Sequence, residues 1–393
     1  MIEMNDREPF SGPLSGVTIL ELAGLGALPF GTLKLADMGA DVIRINRIAD
    51  VPEAPRPASF SEFDRGRRSI AIDLKSSAGI ELVLSMCEGA DAICEAFRPG
   101  VAERLGLGPD VVFARNARIV YGRLTGWGQD GPLSHTAAHS LNYEAMTGAI
   151  GSIGPVGGPP VPLLQVLGDF AGGGLHLAYG VVCALFNAQR TGHGQVVDAA
   201  MTDGVASIYS VFYSMSRAGM HTDDIGTNLF DGGAPFYNVY ETADGRYVTV
   251  APIEPHFYAL LLEKIGIDPS TLPSQYDQSG WPSTCERFAS VFRTKTRDEW
   301  CAILEGTDAC FAPVLRLSEA HEHHHNAARS MFIPTPGNDP DVRQVAPAPR
   351  FSRTPGAARP SYAYPGSDTD EVLHDLGVSA AEIAELRRGG VIA

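Results

Sequence analysis

Over the first two hundred positions, apolar residues gather in short runs separated by segments of helical length. The runs at 17–22, 41–45, 69–74, 92–96 and 118–124 are five to seven residues long. Runs of that length bounded by turn residues read as buried strands. Strand and helix in alternation predict a parallel sheet covered by helices, because each parallel crossover needs a dozen or more residues. A long apolar helix is expected at about 170–188, then a strand at 195–200 and a further helix to about 217. The fold class read from this is α/β.

The pattern changes after about 225. Segments 234–241 and 246–250 flank Asp244 and Gly245, a pair that favours the tight turn of a hairpin. Helices are expected near 256–266 and 285–305. This predicts a smaller α+β domain at 226–330. Residues 1–225 form the large domain, completed by 331–393, with a helical tail at 369–389 returning to it. The proline-dense stretch between Pro347 and Pro365 reads as an extended connection.

Composition narrows the function classes. Of 393 residues, 46 are acidic and 30 basic, a formal charge of −16. A surface of that sign repels phosphate backbones and anionic lipids, so neither nucleic acid nor a membrane is an expected partner. The six cysteines are scattered with no CxxC pair, as in reduced cytoplasmic proteins. The N-terminal ten residues lack the basic and apolar regions of a secretory signal. The apolar stretch 172–185 is short for a bilayer span and contains His176.

Several positions carry candidate chemistry. The turn at 23–31 opens like a dinucleotide fingerprint at Gly24 and Gly26, but Pro29 stands where a third glycine belongs. The next strand ends in Arg44, Asn46 and Arg47 rather than in the acid that holds a ribose hydroxyl, which suits a phosphorylated adenosine better than NAD. Basic residues recur at later strand ends: Arg65, Arg67 and Arg68, then Lys75, Arg98 and Arg104. Lys75 and Arg98 are expected to face one crevice.

A glycine-rich loop at 125–132 leads to His139, between a strand and a helix. Amides there, or near 169–172, are candidates to stabilise negative charge on a substrate oxygen. Asp169 is well placed to cap the apolar helix. The run Gly172-Gly173-Gly174 costs helix stability, about 1 kcal/mol per glycine relative to alanine. It makes sense where a backbone or a ligand comes close. Glu254 follows the hairpin and either caps the next helix or orients a histidine. The histidine-dense segment 321–325 lacks HExxH spacing, and neighbouring helical residues diverge, so no metal is expected.

The motifs at 39–45, 98–104, 125–132, 168–174, 194–201, 231–237 and 349–352, in this order, resemble the family III CoA-transferase (CaiB/BaiF-like) superfamily, and within it the α-methylacyl-CoA racemases. The resemblance covers nearly the whole chain. It implies a Rossmann-like large domain, a smaller domain, and two chains interlocked as a homodimer. It implies that CoA, as part of the substrate, is held at Arg47, Ile72, Asp73, Leu74, Lys75, Ala96, Phe97, Arg98 and Arg104, with Ala138, Ser140, Leu141, Asn142 and Tyr143 beside the reacting end. The catalytic residues it implies are His139 and Asp169, with Glu254 orienting the histidine. No separate cofactor is implied.

Those residue types suit the chemistry. Inverting a carbon next to a thioester means removing a weakly acidic proton and returning one to the opposite face, which two opposed bases accomplish. One departure concerns Ser140, where the racemases usually carry an aspartate. Another is the long proline-rich linker at 48–65. The alternative reading is a CoA transferase, in which Asp169 forms an acyl anhydride. That branch generally lacks the histidine and has a longer glycine loop than Gly232-Gly233-Ala234. A non-catalytic acyl-CoA-binding protein is a third reading. Met201, Met215 and Met220 are candidates for a yielding acyl surface.

Overall fold

The computed structural model describes residues 10–52, 62–335 and 342–393. The first nine residues and the proline-rich stretch 53–61, both read above, lie outside the described residues. The chain groups into two compact units, one of 1–147, 163–208 and 328–393, the other of 148–162 and 209–327. The break expected at 225/226 thus lies at 208/209, and a short earlier segment joins the second unit.

The first unit is built on six strands. In chain order they and their crossovers are β1 (Thr18–Leu22), α1 (Ala27–Asp37), β2 (Asp41–Asn46), β3 (Arg67–Ala71), α2 (Ser77–Gly89), β4 (Ala92–Glu95), α3 (Val101–Leu105), α4 (Pro109–Arg115), β5 (Val120–Thr125), α5 (Ser140–Met146), α6 (His176–Thr191), β6 (Val196–Ala200) and α7 (Met201–Ile208). The sheet order is β3-β2-β1-β4-β5-β6, all parallel. Strands β1, β3, β4 and β5 are buried throughout, which is why their sequences read as apolar runs rather than as alternation. The order reverses between β1 and β4, the place where such sheets form a ligand crevice.

Between 166 and 191 the chain is helical without a break. A wide-turn π segment, Val166–Leu175, leads into α6. The helix therefore starts four residues earlier than expected, and Asp169 lies inside its first turn rather than at its cap. At 26 residues this stretch is long and apolar enough to span a bilayer, contrary to the shorter reading. Here it serves as a core helix: Leu177, Val181 and Leu185 pack with Leu28, Val42 and Val120.

The glycine run has a backbone explanation. A Cβ at Gly174 would lie 2.6 Å from the Ala27 carbonyl oxygen, and one at Gly204 would lie 1.9 Å from that of Gly172. The π segment thus packs main chain against main chain on α1 and α7, which any side chain would prevent.

The buried arginines correct another expectation. Arg44 pairs with Glu21 at 2.5 Å, and Arg67 lies 3.4 Å from the same carboxylate. Arg65 pairs with Asp37 at 2.7 Å, and Arg68 with Asp41 and Asp375. These cations are spent inside the fold rather than offered to a ligand phosphate.

The second unit holds α8 (Ser210–Arg217), β7 (Asn238–Glu241), β8 (Tyr247–Val250), α9 (Pro255–Ile265), α10 (Trp281–Phe292), α11 (Arg297–Leu304), β9 (Phe311–Pro313) and α12 (His324–Ala328). β7 and β8 form the expected hairpin, with Gly245 at φ 70°. β9 adds a third antiparallel strand. The single helix expected at 285–305 is two, α10 and α11, the second begun by a Thr296–Glu299 capping box. An aromatic core of Phe236, Phe288, Phe292 and Trp300 holds the unit together.

The tail belongs to the first unit. The short strands β10 (Phe332–Pro334) and β11 (Arg343–Val345) pair with each other. α13 (Thr369–Asp375) and α14 (Ala380–Arg388) follow. Val372, Leu373 and Ile383 enter the sheet's core beside Ile70 and Ile72.

Candidate active site

A cavity of about 580 Å³ opens in the first unit where the sheet order reverses. Its walls come from the turn after β1, the loop after β4 and the long connection after β5, all beyond the carboxyl ends of strands. The π segment contributes Asp169 and the residue before it, Gln165, while α5 contributes Tyr143 and α7 contributes Met201.

Local chemistry explains how these residues are held. Gly126 follows β5 directly, and a Cβ there would fall within the Tyr143 ring. The ring sits over the bare backbone and meets Trp127 edge to face at 4.8 Å. The Tyr143 hydroxyl donates to the Ala138 carbonyl at 2.7 Å, which ties down the residue before His139. His139 precedes α5 in an extended conformation, and its N–H donates to the Asn142 side-chain oxygen at 3.1 Å. Gly26, at φ 65°, leaves room for the Asp169 carboxylate: a Cβ there would lie 3.4 Å from Oδ2. The glycine pair that resembled a nucleotide fingerprint therefore serves in part to accommodate an acid.

Burial pushes the Asp169 carboxyl above the usual carboxylate range, the charge of His139 pulls it down, and that of Glu144 pushes it up. The same burial, with Asp169 nearby, raises the Tyr143 hydroxyl. A histidine and a partly desolvated carboxyl in one cavity are groups of the kind that move protons in catalysis.

Of the residues expected around CoA, Ala96, Phe97, Arg98, Ala138 and Tyr143 line this cavity with His139 and Asp169. Arg47, Asp73, Lys75, Leu141 and Arg104 are not among its walls. Arg47 pairs with Asp50 at 2.9 Å, and Lys75 and Arg104 are exposed. Ile72 is fully buried and Leu74 packs against the same core, so their side chains are structural. Ser140 is buried, and its hydroxyl donates to Glu144 at 2.8 Å. Asn142 folds back on His139 as described. Glu254 lies in the second unit, exposed, ahead of α9 without capping it through its side chain.

The amides expected to stabilise an enolate are largely engaged. Asp169 N–H donates to Ser140 Oγ at 3.0 Å, and Phe170 N–H to the Gln165 carbonyl. Those of Asn142 and Tyr143 donate to the His139 carbonyl. Trp127 and Gln165 line the cavity and Glu144 stands behind it on Ser140, three residues that the sequence reading did not single out individually. Only Glu144 carried a signal, its i, i+4 spacing from Ser140. Met201 reaches the cavity, whereas Met220 is exposed.

In the second unit, ligand atoms of Glu305, His323 and His324 lie within 4.8 Å of one another. His323 Nε2 is 2.9 Å from Glu305 Oε1. The expected divergence of neighbouring histidines fails because His323 precedes α12 and is outside its helical register; the two rings are 4.6 Å apart.

The chain is similar over nearly its full length to known proteins. The chain is 43% identical over 383 residues to alpha-methylacyl-CoA racemase of Mus musculus, covering 96% of this chain and 97% of that protein. It is 41% identical over 385 residues to the Homo sapiens alpha-methylacyl-CoA racemase, with 96% and 97% covered. A crystal structure of a CAIB/BAIF family protein from Brucella suis shares the fold, with TM-score 0.79 at 22% identity over 93% of this chain and 100% of that one. The sequence matches CoA-transferase family III across residues 14–370. With its six-stranded parallel sheet and full-length similarity, the chain belongs to CoA-transferase family III.

Proposed function

We propose that the protein is an isomerase that inverts the α-carbon of 2-methylacyl-CoA thioesters by 1,1-proton transfer through an enolate. The observation that carries this is the presence of His139 and Asp169 in one cavity, close enough for the charge of one to act on the other. The full-length similarity to two racemases supports it. One base takes the α-proton; the C–H electron pair moves into the C–C bond, and the carbonyl π pair moves onto the thioester oxygen. The conjugate acid of the other base then returns a proton to the opposite face. The roles exchange with the direction of reaction. Each positioned base contributes roughly 10²–10⁴-fold. In this reading proton transfer requires neither metal nor redox cofactor.

Arg98 borders the cavity and suits the CoA phosphates, with Arg47, Lys75 and Arg104 as further cations on exposed surface. A homodimer of interlocked chains is favoured by the apolar outer face of α6, where Tyr179 is 71% and Phe186 61% exposed. Six unpaired cysteines favour the cytoplasm.

The test is incubation of a single-epimer 2-methylacyl-CoA in D₂O, with the α-proton followed by NMR and the epimer ratio by chiral chromatography. Deuterium at the α-carbon with approach to both epimers is the expected result. Transfer of CoA to an added carboxylic acid without α-exchange would instead make Asp169 a nucleophile that forms an acyl anhydride and releases CoA. Thioester binding with neither reaction would leave a binding protein.

A further inference from the structure

Glu144 is fully buried, yet one of its carboxylate oxygens, Oε2, has no hydrogen-bond partner among the described residues. Such an atom costs stability, and its retention calls for a reason. The other oxygen, Oε1, is doubly used. It accepts the Ser140 hydroxyl at 2.8 Å and the Gly168 N–H at 2.8 Å. The Ser140 hydroxyl in turn accepts the Asp169 N–H at 3.0 Å. One carboxylate therefore holds two consecutive amides, those of the acid on the cavity wall and of the residue before it. The backbone lies hard against this network: a Cβ at Gly168 would sit 2.4 Å from Ser140 Oγ and 3.0 Å from Glu144 Oε1.

We propose that Glu144 is a positioning residue for Asp169, acting through the Ser140 hydroxyl and the Gly168 amide to set where the Asp169 carboxyl stands in the cavity. This rests on the racemase reading for its consequence, but not for its geometry. Glu144 does not line the cavity, so it acts on the reacting groups only through Asp169. Its charge also acts there, opposing His139 and adding to burial in raising the Asp169 carboxyl. Tyr143 and Arg98 border the same cavity. The elements packed on the π segment also carry Lys34, Arg123, Asp198, Asp203 and His176, whereas the charges that act on Asp169 are those of His139 and Glu144. A carboxyl held up in this way accepts a proton more readily, as a general base requires.

Two variants separate position from charge. Glu144→Gln keeps an oxygen for both donors and removes the charge; Glu144→Ala removes both. The Asp169 carboxyl is followed by ¹³C NMR through a pH titration in wild type and Glu144→Gln, with Asp169→Asn assigning the signal. The same proteins are assayed for α-deuterium incorporation. The titration midpoint and the acid limb of the exchange profile are expected to move to lower pH in Glu144→Gln. In Glu144→Ala, kcat is expected to fall on the order of 10- to 100-fold, with KM within about twofold, because displacement of a base harms the transition state more than binding. An unmoved Asp169 midpoint, with kcat per folded molecule unchanged in Glu144→Ala, would overturn the proposal and leave Glu144 a structural residue. Failure of wild-type protein to exchange its substrate would sink the racemase reading instead, while the NMR titration still decides the role of Glu144.

Discussion

Asp169 illustrates how one side chain joins stability to chemistry. Burial raises its carboxyl, so the folded protein binds this proton more tightly than the unfolded chain does. Its contribution to stability is therefore full below the unfolded value and is lost as pH rises through the folded one. Asp169→Asn should flatten that part of the stability profile and leave the melting temperature at neutral pH no lower than wild type, as thermal unfolding across pH would show. The same substitution, like His139→Ala, should reduce α-proton exchange by roughly 10²–10⁴-fold. A variant that melts normally and exchanges normally would remove the residue from the mechanism.

At the scale of elements, the π segment decides where Asp169 lies, and glycines decide where the π segment lies. A methyl group at Gly31 would stand 2.6 Å from the Gly174 carbonyl oxygen. Gly31→Ala is expected to destabilise the protein by about 1–3 kcal/mol through overpacking, measured by denaturant unfolding, and to lower exchange in the protein that remains folded. Gly245→Ala, in the β7–β8 turn with open space around it, strains only a positive φ and should leave exchange unchanged. The charge missing at position 140 also resolves at this scale. Ser140 and Glu144 are one helical turn apart on α5, and the hydroxyl meets the carboxylate there.

For the whole molecule, the outer face of α6 carries Tyr179, Val182 and Phe186, all exposed, with exposed Leu175 just before them. Tyr179→Glu with Phe186→Glu should shift the protein toward monomer in sedimentation velocity if this face meets a second copy. An unchanged sedimentation coefficient would show that this face is not an interface between copies. The cluster of Glu305, His323 and His324 stands in the second unit and has no part in the proton transfers proposed. Overnight dialysis against a chelator should leave the exchange rate within about twofold, since side-chain bases alone move the protons; a larger loss would bring a metal into the mechanism.

Strands β1, β3, β4 and β5 were legible because strands buried on both faces have no polar alternation to disguise them. The Asp244–Gly245 hairpin was legible because its turn chemistry is local. His139 and Asp169 were legible as residues, through their motif context. The three-residue strands β9, β10 and β11 were not, being too short to show a period. Nor was the fate of the arginines: whether Arg44, Arg65, Arg67 and Arg68 meet a phosphate or a buried carboxylate depends on partners tens or hundreds of residues away. The sequence by itself determined the α/β class and the family, and singled out His139 and Asp169 as candidates, because local propensity and motif order carry those. Tertiary structure alone decided that Gly172 and Gly174 meet the backbone of α7 and α1, that Ser140 turns away from the cavity, and that Glu144 stands behind Asp169. Each of those depends on which segments pack together, and packing is a property of the folded chain as a whole.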